Sequence, residues 1–433
     1  MIDVIVKKTE ILDGEVCAPP SKSYTQRMLI ASSLSSGTSR ISDPLISDDT
    51  EATLRAVKAI GAKVDAEKGC WIVKGTSPKG ASEPIDCGES GATLRFMIPV
   101  AALAAEPSIF LMGSSLEQRP IEPLLQSLKQ IGVETAVNKT EGKSSITVQG
   151  GGIAGGKTSI RGDISSQFIS GLMFACPLAR EDTEIAITTP LESRSYVRIT
   201  HQILTKHGVK INSSKDYKKI IIPSDQEYKK VDDIVPGDFS SAAFLLSAAA
   251  ITNSNVTIAN LDYSLAQGDK AIIGILKKMG AKGKVCKNKV EIKGDGNLLE
   301  ATDFSAKDAP DLVPPCTVLA CFAKGTTTIS GAKRLRLKES DRLDSLTIEL
   351  KKMGADIIAN EDGLTVKGPC KLHGSDIDPH NDHRIAMACA VAALGAEGET
   401  IIRNAECVKK SYPRFFNDLN TVGANLVDRK FDR

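Results

Sequence analysis

The chain opens on MIDVIVKKTEILDGEV, where apolar and polar residues alternate as along a half-buried strand. A longer pattern follows. A segment of helical spacing that ends in Gly and runs into a short strand recurs as LRAVKAIGAKV, LQSLKQIGVET, HQILTKHGVKI, GILKKMGAKGKV, IELKKMGADII and FNDLNTVGANLV. The glycines are Gly61, Gly132, Gly208, Gly280, Gly354 and Gly423, spaced 71, 76, 72, 74 and 69 residues apart. Each stands where a helix C-terminus needs the left-handed conformation that Gly adopts cheaply, so the spacing predicts six repeated units.

Between these markers lies a second kind of helix, apolar nearly all round and rich in Ala, Ser and Gly. It reads SKSYTQRMLIASSL, ESGATLRFMIPVAALA, ISSQFISGLMFACPLA, GDFSSAAFLLSAAAI, DLVPPCTVLACFA and NDHRIAMACAVAALGA. Such segments are buried, whereas the Gly-ended helices carry Lys, Glu and Gln on one face and are exposed. WIVKG, SSITVQG, KKIIIP, KVEIKG and GLTVKG alternate and end in turns, as strands do. Each unit is thus a buried helix, a strand, an exposed helix and two strands, which makes an α/β protein. VDDIVPGD, at 231–238, divides the six units three and three. With the opening strand returning to complete the second half, the expected lobes are residues 20–234, and 1–19 plus 235–433.

Composition narrows the class. Against 55 Lys plus Arg stand 53 Asp plus Glu, a net charge of +2, with 41% hydrophobic and 25% charged residues over 433 positions. A nucleic-acid or anionic-membrane protein would show a basic excess, and a disordered chain a poorer apolar content. Apolar stretches such as 242–251 are too short to span a bilayer, and the N-terminus has no run of signal-peptide length. The ten cysteines are scattered without CxxC, so reduced thiols in a cytoplasmic protein are expected. His380 and His383 form a close pair in HNDH, too few ligands for a metal site.

The chemistry lies where the repeats break local rules. A cation in the first turn of a helix opposes the macrodipole, at a cost of up to about 1 kcal/mol. Lys22 nevertheless opens the first buried helix and Arg384 the sixth, while Lys338 and Arg342 stand four apart at the start of the fifth exposed helix. A bound anion would relieve this, and Ser21, Ser23, Ser165 and Ser166 could add hydroxyls, although Ser at a helix start also serves as an N-cap. Asp311 before Leu-Val-Pro-Pro reads as an N-cap, His383 as a histidine held by a cap, and Tyr196 as a strand aromatic. The Gly-rich tract at 149–157 fits no phosphate-loop spacing and reads as a turn between strands.

PPSKSYTQR, GESGATLR, QRPI, ISSQFISG, ESRSYV, DAPDLVP, LKESDR, NDHRIAMA and VKKSYP, in this order, resemble the 5-enolpyruvylshikimate-3-phosphate synthase family over residues 19–416. The resemblance implies an inside-out α/β barrel of two similar lobes, each of three βαβαββ units, with the N-termini of the buried helices towards an interlobe cleft. It also implies transfer of the enolpyruvyl group from phosphoenolpyruvate to the 5-hydroxyl of shikimate 3-phosphate, with release of phosphate and no cofactor or metal. Carried over by motif, shikimate 3-phosphate would meet Lys22, Ser23, Arg27, Ser165, Ser166, Gln167, Ser193, Tyr196, Asp311, Arg334 and Lys338. Phosphoenolpyruvate would meet Lys22, Gly91, Arg119, Gln167, Arg342, Arg384 and Lys410. Addition and elimination need an acid and a base. Asp311 is expected to take the hydroxyl proton, and Glu339, Lys22 or His383 to serve the methylene carbon. Ligands from both lobes imply closure on binding.

Two departures from the family pattern stand beside Gly91: Ala92, and Glu89 in place of the usual Asn, which would alter packing near phosphoenolpyruvate. The rival transferase acting on UDP-N-acetylglucosamine carries a Lys-Asn pair and a loop Cys, against Lys22-Ser23 and the Cys-free LMGSSLEQRP here. An RNA-terminal phosphate cyclase would be more basic. The expected partners are the two small anions, with no nucleic acid or membrane, and the expected state is a monomer. Seven cations against Asp311 and Glu339 leave the proposed site with a local charge of +5 and the rest of the chain mildly acidic.

Overall fold

The structure is a computed structural model that describes residues 2–67, 69–140, 143–294 and 299–430. The chain divides into two compact units, Pro20–Val235, and Met1–Pro19 with Pro236–Arg433. In the first, the buried helices are Lys22–Ser33, Gly91–Ala101 and Ser166–Ala175, and the amphipathic ones Asp48–Ala59, Glu122–Gln130 and Arg194–Lys206. In the second, Phe239–Ile251, Val313–Cys321 and His383–Leu394 are buried, and Ala271–Lys278, Arg342–Lys352 and Phe415–Thr421 lie outside them.

All six repeat glycines take positive φ, between +81° and +106°. At each, the Gly N–H bonds the carbonyl three residues back and the next N–H the carbonyl five back, as in Gly61 to Lys58 and Ala62 to Val57. This is the Schellman termination that the sequence spacing predicts. Small residues let the buried helices approach closely: a Cβ on Gly171 would lie 2.3 Å from the carbonyl oxygen of Arg95 on the neighbouring helix. Hydroxyls tie the same group together, with Gln26 donating to Thr53 (2.9 Å) and Thr53 meeting Thr93 (2.7 Å).

Each of the six repeats has one mixed sheet in which the leading strand is parallel to the second and the last two are antiparallel. The pattern closes on itself through exchanged strands. Asp233–Ile234 leads the first sheet by pairing parallel with Thr38–Ser42, and Ile11–Cys17 leads the fourth by pairing parallel with Asn253–Ala259. Ile2–Lys7 lies in the sixth sheet between Glu399–Ile402 and Leu426–Lys430. The opening segment therefore forms two strands rather than the one its alternation suggests, each bound to a different sheet. Among the described residues no helix is long and apolar enough to cross a membrane.

Candidate active site

In the unit Pro20–Val235, cations gather where buried helices begin. Lys22 is the first residue of its helix, and its Nζ bonds Asp49 Oδ2 at 2.8 Å. One turn on, Arg27 is buried, donating from Nε to Thr200 Oγ1 (2.8 Å) and from Nη1 to the Ser23 carbonyl (3.0 Å). Its guanidinium lies 4.8 Å from the Phe96 ring centroid and 5.7 Å from that of Tyr196. Among the described residues no carboxylate pairs with it, and burial lowers its pKa to about 10.

Gly91 opens the next buried helix, and a Cβ there would sit 3.3 Å from Nη1 of both Arg95 and Arg119. Both arginines are buried. Arg95 donates to Gln167 Oε1 (2.8 Å) and to the Pro120 carbonyl (3.0 Å), and its guanidinium stacks 5.2 Å from Phe168. Glu89 accepts from the backbone of Ser115 (3.2 Å) and Leu116 (2.9 Å), so its carboxylate holds the turn that carries Arg119. Ser165 caps the third buried helix by accepting from Gln167 N (3.3 Å), and Ser166 is buried beside it. Ser193 precedes Arg194–Lys206 in the left-handed region (φ +52°) with no capping bond from its hydroxyl, a conformation found where the surroundings over-determine it.

In the other unit the centre is Arg342, fully buried at the start of its helix. Nε donates to Asp382 Oδ2 (2.7 Å), Nη2 to Glu339 Oε2 (2.7 Å) and Asp382 Oδ1 (3.3 Å), and Nη1 to Asp311 Oδ1 (3.1 Å). Burial opposes its charge, yet the carboxylates of Asp382, Glu339 and Asp311 outweigh that and hold its pKa above the usual arginine value. Asp311 Oδ2 is 3.0 Å from Nη2 of Arg384, which also donates to Ser240 (2.7 Å). Glu339 Oε1 is 3.3 Å from Lys410 Nζ. Asp382, fully buried, caps the sixth buried helix by accepting from Arg384 N (2.9 Å). Burial pushes the Lys338 ammonium down to about 7, with Asp311 opposing and Arg342 and Arg334 adding to the fall. Arg334 donates to the Lys307 carbonyl (2.6 Å).

Several expectations are corrected. Asp311 does not cap a helix: it lies in the 3-10 turn Pro310–Leu312 and spends its carboxylate on Arg342 and Arg384, because Pro314 and Pro315 in the first turn remove N–H groups a cap would serve. Lys338 and Arg342 share no helix face, since Lys338 is extended (φ −100°, ψ −153°) and the helix begins at Arg342. Tyr196 is helical, its ring turned to Arg27. His383, by contrast, is where its motif put it, buried at the first position of its helix beside the cap, with Nδ1 3.7 Å from Asp382 Oδ1. The Gly-rich tract does join two strands, Lys143–Val148 and Gly156–Ile160.

Three residues at these clusters were not singled out by sequence. Asp49 looks like any acid in a first helical turn, and Asp382 like any cap. Arg95 carried a readable signal, four residues beyond Gly91 on one helix face. With them the first unit sets Lys22, Arg27, Arg95 and Arg119 against Asp49 and Glu89, and the second sets Arg334, Lys338, Arg342, Arg384 and Lys410 against Asp311, Glu339 and Asp382. The net formal excess is two positive charges in each cluster. Among the described residues no group of three or more His, Cys, Asp or Glu is arranged to hold a metal ion.

Repeated α/β units whose helices begin with cations paired to carboxylates give each compact unit one charged cluster. The family model for EPSP synthase (3-phosphoshikimate 1-carboxyvinyltransferase) matches residues 6–419. The 3-phosphoshikimate 1-carboxyvinyltransferase of Methanocaldococcus jannaschii is 47% identical over 98% of this chain and 99% of its own length, and that of Methanococcus aeolicus is 43% identical at the same coverage. EPSP synthase from Acinetobacter baumannii superposes with a TM-score of 0.83 at 26% identity, covering 99% of this chain and 100% of the other. The enolpyruvyl transferase NikO from Streptomyces tendae, 19% identical with a TM-score of 0.80 and covering 99% and 98%, shares the fold. The chain belongs to the EPSP synthase family.

Proposed function

We propose that this chain transfers the 1-carboxyvinyl group of phosphoenolpyruvate to the 5-hydroxyl of shikimate 3-phosphate and releases phosphate, the step of the shikimate pathway that leads towards chorismate. Family membership supports the reaction. The observation that carries the residue assignment is the Arg342 centre, where one buried guanidinium meets three carboxylates and Asp311 also meets Arg384.

The acceptor phosphate is met by Ser23, Arg27, Ser165, Ser166, Ser193 and Lys338, with Tyr196 and Gln167 beside the ring and Arg334 at the edge. The donor is met by Lys22, Gly91, Arg119, Gln167, Arg342, Arg384 and Lys410, and Arg95, which lies beside Gly91 and bonds Gln167, joins them in this reading. Gly91 suits this because a side chain would fill the space between two guanidinium groups. Arg342 spends four of its N–H groups on carboxylates, and a guanidinium has five, which leaves one Nη1 hydrogen for a ligand.

In the addition step Asp311 accepts the proton of the 5-hydroxyl as its oxygen bonds the donor carbon, while Glu339 or Lys22 delivers a proton to the methylene carbon. Glu339 lies between Arg342 and Lys410, and Lys22 is tied to Asp49, so the proton for the carbon comes either from the Lys410 ammonium by way of Glu339 or from the Lys22 ammonium itself. In the elimination step the roles reverse: the group that protonated the carbon takes a proton back from the new methyl, and the proton held by Asp311 goes to the phosphate as its bond to carbon breaks. His383, buried behind Asp382, is placed to support that carboxylate.

The test is phosphate release from phosphoenolpyruvate with each acceptor in turn. Release is expected with shikimate 3-phosphate and not with UDP-N-acetylglucosamine; release with the UDP sugar alone would overturn the proposal. A second expectation concerns pH. Lys338, whose ammonium pKa is held down to about 7 by burial, must take up a proton above that pH to face a phosphate dianion. Above about pH 7 the affinity for shikimate 3-phosphate should fall, by up to about tenfold per pH unit. Calorimetry at about pH 8, where the phosphate group (pKa about 6) is already dianionic, should register proton uptake in wild type and not in Lys338→Met. Equal uptake in both would assign the proton elsewhere.

A further inference from the structure

Glu349 is a fully buried carboxylate that the reaction does not use. It lies seven residues beyond Arg342 on the helix Arg342–Lys352, two turns along the same face. Its oxygens accept from Lys352 Nζ (2.9 and 2.8 Å), from the backbone N of Asp378 (3.1 Å) and from His380 Nε2 (3.0 Å). The segment thus held, Asp378–Asp382, runs directly into the helix that carries His383 and Arg384. Within it His380 and Asn381 are both left-handed, at φ +52° and +53°. Two consecutive left-handed residues without Gly are uncommon and persist only where the surroundings hold them.

The same helix therefore grips the segment at two points. Glu349 holds residues 378 and 380, and Arg342 holds Asp382 through Nε and Nη2. Asp382 in turn caps Arg384. A shift of the strained segment would move Asp382, and with it the two guanidinium groups that meet Asp311.

We infer that Glu349 and His380 form a clamp whose hydrogen bond fixes the left-handed turn at 380–381, so that Asp382 sets Arg342 and Arg384 for the donor. His380 is a positioning residue, a third exposed and outside the reacting groups. The inference rests on the assignment of Arg342 and Arg384 to phosphoenolpyruvate.

The experiment compares His380→Phe, His380→Gly and His380→Gln with Arg342→Lys as reference. Phe keeps a ring without the donor, Gly accepts the left-handed turn without the donor, and Gln restores an N–H. Phe and Gly should each raise KM for phosphoenolpyruvate about tenfold, since small misplacements of clamping groups are costly. KM for shikimate 3-phosphate should stay within about twofold, and Gln should recover most of the loss. His380→Gly should also melt at the wild-type temperature, which separates positioning from fold stability. Unchanged kinetics in Gly, or equal rises in both KM values, would overturn the clamp. If Arg342→Lys itself left KM for phosphoenolpyruvate unchanged, the donor assignment would fail instead.

Discussion

Replacing Asp311 by Asn should lower kcat by about 10²–10⁴-fold, the usual contribution of a positioned general base. The side chain keeps its volume and one acceptor oxygen but can no longer take the proton of the 5-hydroxyl. Its neighbours remain anchored: Arg342 keeps Asp382 and Glu339, and Arg384 keeps Ser240 and the carbonyl oxygen of residue 311. The melting temperature should accordingly change by no more than about 4 °C. Turnover is read from phosphate release with both substrates saturating, and binding of shikimate 3-phosphate from calorimetry. A variant turning over within about threefold of wild type would take Asp311 out of the chemistry.

Arg342→Ala should cost both stability and activity. One guanidinium offsets three carboxylates, of which Asp382 has no exposed surface and Glu339 and Asp311 little. Removing one partner of a buried pair leaves charge uncompensated, at about 3–5 kcal/mol, which corresponds to a fall of about 10 °C in a unit of this size. Adding Asp382→Asn should recover part of the loss, because it removes the most deeply buried of the stranded charges; the cycle of single and double variants measures that coupling. Thermal unfolding of the four proteins is the readout. A fall of less than about 2 °C in Arg342→Ala would mean that the cluster does not depend on its cation.

The fold was legible to the extent that its signals are local. Helical spacing, six terminating glycines and small-residue runs each act within a dozen residues, and every one of those glycines is left-handed in the structure. Local signals misled where long-range partners outweighed them. Asp311 has the neighbours of a cap but pairs with Arg342 and Arg384, and Lys338 has the spacing of a helical residue but lies outside the helix. The opening alternation is real, yet nothing in it tells which strands Ile2–Lys7 and Ile11–Cys17 will join.

By itself the sequence determined where the Gly-terminated helices end, that cations cluster near helix starts against the dipole, and that the pattern recurs about every 72 residues. Only the tertiary structure decided which helix starts meet. Arg95 and Gln167 are 72 residues apart, Arg384 and the Asp311 carbonyl 73, and Arg384 and Ser240 144, so partners are drawn from equivalent places one or two units away. The physical reason is that small side chains let buried helices pack close, and close packing brings their charged first turns within hydrogen-bond reach. Burial then makes each unpaired charge costly, so the cations and carboxylates of successive units settle against one another.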